Sequence, residues 1–265
     1  MENPVDKPTR FDLMIDTFVQ LAQEEQTHQT PPAPGLPTLR SVLADLSPLP
    51  QEALFLGLAE DGLPVLLNLH DPIPGPLLIT GDQASGKTRF LQTIARATDY
   101  LHNPDNVQYS IITSHPKEWK FFQGNQNNVG IYSTYEGNAE KLINSLVAWA
   151  HNNRGEQQFI LLLIDDIESV IKLNQQVEQN LRWLLMRGPS RRVWPIVTLN
   201  ATRALHLKEW MSFFHTRLFG RVESPDESNF ITANPSHTLT NLIAGSQFAL
   251  REDDELLNFW VPTLD

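Results

Sequence analysis

The sequence predicts an α/β fold: a mostly parallel sheet with helices on both faces, preceded by a small β-hairpin and an N-terminal helical arm. Three observations carry that prediction. Apolar runs at 77–80, 107–113, 129–133, 159–165, 194–200 and 215–222 alternate with stretches of helical apolar spacing, the pattern of strands joined by crossover helices. The run "FILLLIDD" from Phe159 is apolar until its two closing carboxylates, as a strand covered on both faces must be. The first run passes directly into "GDQASGKT", with glycines at 81 and 86 and then Lys87 and Thr88.

Taken in order, "FDLMIDTFVQLAQEE" (11–25) places Phe11, Met14, Ile15, Phe18 and Ala22 on one helical face. Thr9 and Asp12 have the spacing of a capping box. "TPPAPGLP" (30–37) can be neither helix nor central strand. Residues 1–29 therefore read as an arm, 30–52 as a Pro-rich linker and 53–265 as the main domain. The arm either folds back on its own domain or docks on a neighbouring subunit. "ALFLGLAEDGLPVLLNL" (53–69) is two apolar runs around Asp61-Gly62, a hairpin signal. After "HDPIPGP" the main sheet begins. Phe90, Ile94, Ala97 and Leu101 recur at helical spacing, as do Leu142, Leu146 and Trp149, then Val177, Leu181 and Leu184. Gly188 has the position of a C′ residue closing that last helix. The tail, 246–262, reads as two short strands around "REDDE".

Composition narrows the function classes. A net charge of -11 argues against a free-standing nucleic-acid binder, though not against a ring with a basic lumen. Without cysteine there is no disulfide framework and no thiolate metal site. No apolar run is long enough to cross a bilayer, and "MENPVDKPTR" lacks the basic-then-apolar pattern of a signal peptide. The expectation is a cytoplasmic protein with no membrane segment of its own.

The octet Gly81, Asp82, Gln83, Ala84, Ser85, Gly86, Lys87, Thr88 fits G-x-x-x-x-G-K-[ST] completely. Glycines let the backbone approach oxygens closely, and the loop N–H groups form an anion nest at a helix N-terminus. Lys87 is placed to reach the β- and γ-phosphates of ATP, and the Thr88 hydroxyl to ligate Mg²⁺. Asp165, at the carboxyl end of the 159–165 strand, is placed to hold the same ion through water. Asp166 is the candidate to orient or deprotonate the attacking water, with Glu168, on the same face if the strand continues, as the alternative. Asn200 closes another apolar strand as a candidate phosphate sensor or water-positioning group. Arg191 and Arg192 are candidates for an arginine finger acting on a neighbouring subunit's nucleotide.

In this order the motifs resemble the FtsK/HerA branch of P-loop ATPases, and within it the FtsK/SpoIIIE-type domain that includes the EccC ATPases of type VII secretion. The resemblance runs from about Gly57 to the C-terminus. "SHPKEW" (114–119) resembles the family's Asp-Pro-Lys element, with His115 in the aspartate's place. "LLIDDIESV" falls on the Walker B strand, "MRGPSRRVWPIVTLN" on the Gly-Arg segment and sensor strand, and "LIAGSQFALRE" on the closing strands. The resemblance implies a RecA-like P-loop NTPase core, ATP and Mg²⁺ as cofactors, and a homo-oligomer, a hexamer, moving DNA or polypeptide.

Three departures bear on activity. Asp166 stands where the family's catalytic glutamate stands, with roughly 1.5 Å less reach. Pro189 replaces the arginine of the Gly-Arg segment, leaving Arg191 and Arg192 as substitutes. Asn200 replaces the usual glutamine. Two readings therefore stand: a hydrolysing ring motor, or a nucleotide-binding assembly module that turns over weakly or not at all. A small-molecule kinase of another P-loop branch is disfavoured, because the sequence has no arginine-rich lid.

Overall fold

The computed structural model describes residues 37–153, 158–234, 237–252 and 255–265. The arm with its Thr9–Asp12 pair, and residues 30–36 of the linker, lie outside the described residues. Residues 37–265 form one compact unit.

Each predicted strand forms. The hairpin is β1 (Ala53–Ala59) and β2 (Pro64–Asn68). The main strands are β3 (Leu77–Gly81), β4 (Val107–Thr113), β5 (Asn128–Ser133), β6 (Phe159–Asp165), β7 (Val193–Asn200) and β8 (Thr216–Phe219). The tail forms β9 (Gln247–Glu252) and β10 (Glu255–Trp260). All ten belong to one sheet in the order β2-β1-β10-β9-β8-β3-β7-β6-β4-β5. Pairing is parallel from β8 through β5 and antiparallel from β8 outward to β2. The hairpin is thus the far edge of the main sheet, joined to it through Leu58↔Trp260 and Ala59↔Phe259.

The helices are α1 (Leu39–Asp45), α2 (Lys87–Leu101), α3 (Asn138–Asn152), α4 (Ile167–Ile171), α5 (Gln175–Arg187), α6 (Lys208–Met211) and α7 (Pro225–Thr232). Side chains alternate across a strand, so the uninterrupted apolar run of β6 feeds two cores. Ile160, Leu162 and Ile164 pack with residues of α3, α4 and α5. Phe159, Leu161 and Leu163 pack with Phe90, Leu91 and Ile94 of α2. β7 divides the same way, Val193 and Val197 to the first core and Trp194 and Ile196 to the second. Pro195 lacks an N–H for a ladder bond. It pairs with Leu162 of β6 just before pairing with β3 begins at Ile196.

Two expectations are corrected. The segment read as linker to residue 52 contains α1, capped by Thr38, whose hydroxyl accepts from the Ser41 N–H at 3.3 Å. Leu39, Val42 and Leu43 are buried against Phe55 and Ala97. At about 2 kcal/mol per buried aliphatic side chain, that packing holds a seven-residue helix too short to persist alone. Leu39 N–H also donates to Thr263 O (2.8 Å), and Thr263 N–H to Pro37 O (3.1 Å). The compact unit therefore begins at Pro37.

Gly188 is the second correction. It follows α5, but its φ of -52° is ordinary right-handed backbone rather than a left-handed C′. Glycine is needed there for space: a Cβ would collide with the Leu184 carbonyl oxygen and come within 2.6 Å of that of Val193. Gly188→Ala is expected to cost about 1–3 kcal/mol by overpacking, and Gly188→Asn at least as much. Chemical denaturation of both variants checks this. An Asn variant as stable as the parent would restore the C′ reading, since left-handed caps accept asparagine.

Candidate functional site

Parallel register brings distant residues to one end of the sheet. Gly81 of β3 is level with Asn200 of β7, and Asp165 of β6 with Thr113 of β4. All four close their strands, at the edge where α/β sheets bind ligands. A cleft of about 500 Å³ opens there, lined by Lys87, Thr88, Asp165, Asp166 and Asn200 among others.

The loop from Gly81 to Thr88 is braced from outside. Asp82 N–H donates to Arg221 O (3.0 Å), and the Asp82 carboxylate accepts from Glu223 N–H (2.7 Å). Gly245 N–H donates to Ser85 O (3.0 Å). Gly86 has a φ of +95°, and a Cβ there would approach the Gly245 Cα to 2.5 Å. The second motif glycine thus serves a left-handed turn and a backbone-to-backbone contact at once. Lys87 Nζ donates to the carbonyls of Gly81 (2.8 Å) and Asp82 (2.6 Å), spanning the loop entrance. Gln83 and Ala84 are exposed at the mouth.

Asp165 is the centre of the polar arrangement. Its carboxylate accepts from the hydroxyls of Thr88 (3.0 Å) and Thr198 (3.3 Å) and from the Trp119 indole N–H (3.4 Å). The Thr113 hydroxyl stands at 3.5 Å. Asp166 follows at φ +80°, ψ +97°, a sparsely populated conformation. Its N–H donates to Thr198 Oγ1 (2.7 Å), and its carboxylate caps α4 by accepting from Glu168 N–H (3.1 Å). Although Asp166 reaches solvent at the mouth, the surrounding protein raises its carboxyl pKa, and the Glu168 and Asp165 charges add to that. Asn200 Oδ1 accepts from the N–H and hydroxyl of Thr202, both at 3.2 Å.

The residues present fit a magnesium nucleotide. The Thr88 hydroxyl would ligate the ion and the Asp165 carboxylate would hold it through water, both being hard oxygen donors of the kind Mg²⁺ takes. The Thr88 hydroxyl and Asp165 carboxylate are 3.0 Å apart. Among the described residues no cluster of three or more His, Cys, Asp or Glu could cage a metal.

Arg191 and Arg192 stand elsewhere. They precede β7, at its amino end, a strand's length from the cleft. Arg191 is exposed, and the Arg192 guanidinium lies 4.6 Å over the Phe159 ring. Within one chain neither reaches the glycine-rich loop. Sequence reasoning missed three residues that matter here. Thr198 has a period-2 signal, lying two positions before Asn200. Trp119 sits in the quoted "SHPKEW" but carries no polar pattern. Arg203, which lines the cleft, lies three residues beyond the end of β7, where sequence gives no direction for a side chain.

No protein-family model matches the chain, and no curated protein matches its sequence. Solved structures do match its fold. EssC (ATPases 2 and 3) from Geobacillus thermodenitrificans aligns with a TM-score of 0.69 at 14% identity, over 89% of this chain and 48% of that one. Thermomonospora curvata EccC (ATPases 2 and 3), in complex with a signal sequence peptide, aligns with a TM-score of 0.66 at 16% identity, over 87% and 43%. The conjugation coupling protein TcpA, in monomer form with ATPγS, aligns with a TM-score of 0.67 at 13% identity, over 87% and 70%. The chain spans less than half the length of the EccC and EssC structures. The chain thus shares the fold of these ATPase domains. Among the described residues no helix is long and apolar enough to cross a membrane.

Burial lowers the Lys87 pKa from 10.5 to about 8, against the opposing pull of Asp165, Asp82 and Asp166. The penalty on the buried ammonium is complete below about pH 8 and is relieved as pH rises toward 10.5. Relative to Lys87→Met, the parent chain is therefore expected to gain stability across that interval. Thermal melts of both proteins between about pH 7 and 10 check it. A difference in melting temperature independent of pH would mean that the lysine is not desolvated.

Proposed function

We propose that the chain binds Mg-ATP over residues 81–88 and hydrolyses it, as a ring-forming motor that couples turnover to movement of DNA or polypeptide. One observation carries the reading: Lys87 and Thr88 of α2, Asp165 closing β6, Asp166 at the start of α4 and Asn200 closing β7 line the same cleft. Polyphosphate beside Asp165 and Asp166 needs a positive charge between them. A bound Mg²⁺ supplies it and polarises the phosphate oxygens.

The other roles fall to the chain's own groups. The Lys87 ammonium sits against the β- and γ-phosphates, and α2 adds its positive N-terminal end. Asp165 orients the Thr88 hydroxyl. Asp166 takes the proton of the attacking water, with Asn200 holding that water or sensing the terminal phosphate. Arg191, exposed beyond the amino end of β7, is the better placed of the two arginines to act on a neighbouring subunit in the ring. The fold shared with EccC, EssC and TcpA, and the ATPγS bound by TcpA, support this assignment.

A second reading has its own support. The Asp166 carboxylate already caps Glu168 N–H, and it is shorter than a glutamate. A module so built binds nucleotide as an assembly ligand and turns over slowly.

Turnover of saturating Mg-ATP is expected to vanish in Lys87→Ala. Asp166→Asn is expected to lower it about a hundredfold or more, while Asp166→Glu raises it. Parent turnover no greater than that of Lys87→Ala would leave only the binding module. Light scattering with size exclusion, with and without ATP, tests the ring: a monomer under both conditions removes it.

A further inference from the structure

We propose that Arg203 is a specificity-determining residue that distinguishes ATP from ADP within a single chain. It does so by exchanging Glu168 for the terminal phosphate. This inference rests on the nucleotide reading above.

The cleft is unevenly charged. Its lining carries four carboxylates, Glu118, Asp165, Asp166 and Glu168, against Lys87 and Arg203. Lys87 belongs to the loop and grips any nucleotide with a β-phosphate. Arg203 lines the same cleft from a different element. It ends the 3₁₀ turn Ala201–Arg203, which Asn200 caps at the end of β7. Asp165 and Asp166 line the same cleft, and the nucleotide reading puts the terminal phosphate, with its attacking water, beside them. A cation there meets a charge that ADP does not bring.

Arg203 is held, but lightly. Its Nε is 3.7 Å from Glu168 Oε2, beyond hydrogen-bond distance, and its side chain is 56% exposed. Solvent-facing pairs of this kind contribute little. Glu168 has a stronger partner on its other oxygen, Lys172 Nζ, 2.6 Å from Oε1. The Lys172 hydrogen bond, helped by the Lys172 and Arg203 charges, holds the Glu168 carboxyl below its usual pKa despite its partial burial. Losing Arg203 therefore leaves Glu168 ionised and still paired. The guanidinium gives up a long, screened contact and gains a planar two-pronged one to phosphate oxygens. The backbone of the turn does not have to move, because Asn200 fixes it through Thr202.

Two substitutions should act in opposite directions. Calorimetric titration with Mg-ADP and with Mg-ATPγS is the readout, with Arg203→Lys as the conservative control. Arg203→Gln is expected to weaken ATPγS by about tenfold or more, with ADP changed less than about twofold. Arg203→Lys recovers part of the loss. Glu168→Gln, by releasing the arginine, is expected to tighten ATPγS and leave ADP alone. Equal weakening of both ligands by Arg203→Gln, or no change in their ratio with either variant, would overturn the proposal while leaving nucleotide binding intact. If the parent binds neither ligand, the nucleotide reading itself fails and takes this inference with it.

Discussion

The Asp165 carboxylate is the constraint on which the site depends. A charged group at the end of a strand covered on both faces is tolerable only when donors surround it. Here they come from separate parts of the chain: Thr88 from α2, Thr198 from β7 and Trp119 from the 3₁₀ turn after β4. The same hydrogen bonds fix where the glycine-rich loop sits relative to β6 and β7. Thr198 also accepts the Asp166 N–H, so one hydroxyl sets the aim of both acidic residues. The positive φ of Asp166 follows from this. The chain must turn sharply to give its N–H to Thr198 while its carboxylate caps α4.

Most of the fold was legible because burial writes itself into composition. β6 and β7 are apolar on both faces since each feeds two cores, and nothing but a central strand needs that pattern. What could not be read was adjacency. The hairpin joins the sheet through two residue pairs between β1 and β10, about two hundred residues apart in sequence, with no local signature. α1 was obscured for a different reason. Leu39, Val42 and Leu43 have helical spacing, but prolines flank them on both sides, and the flanks outweighed seven residues of pattern.

The candidate site divides along similar lines. Residues 81–88, Asp165, Asp166 and Asn200 were readable because each ends a strand or begins a helix, and parallel strands end together. Direction also decides the position of Arg191 and Arg192: residues that precede a parallel strand lie at the opposite edge. Arg203 and Glu168 face each other across the mouth because α4 and the 3₁₀ turn after β7 both cross that end of the sheet. A five-residue helix and a 3₁₀ turn carry no sequence signal for such a meeting.

The contact between Gly86 and Gly245 reaches beyond the loop itself. Two bare backbones touch there, with no side chain between them to yield. The wall behind the phosphate cradle is therefore supplied by the turn that leads into the last two strands. A fragment cut after α7 would keep every residue of the glycine-rich motif and lose the surface that gives it shape. In this architecture the turn at Gly245 is a structural member of the loop, not trim around it.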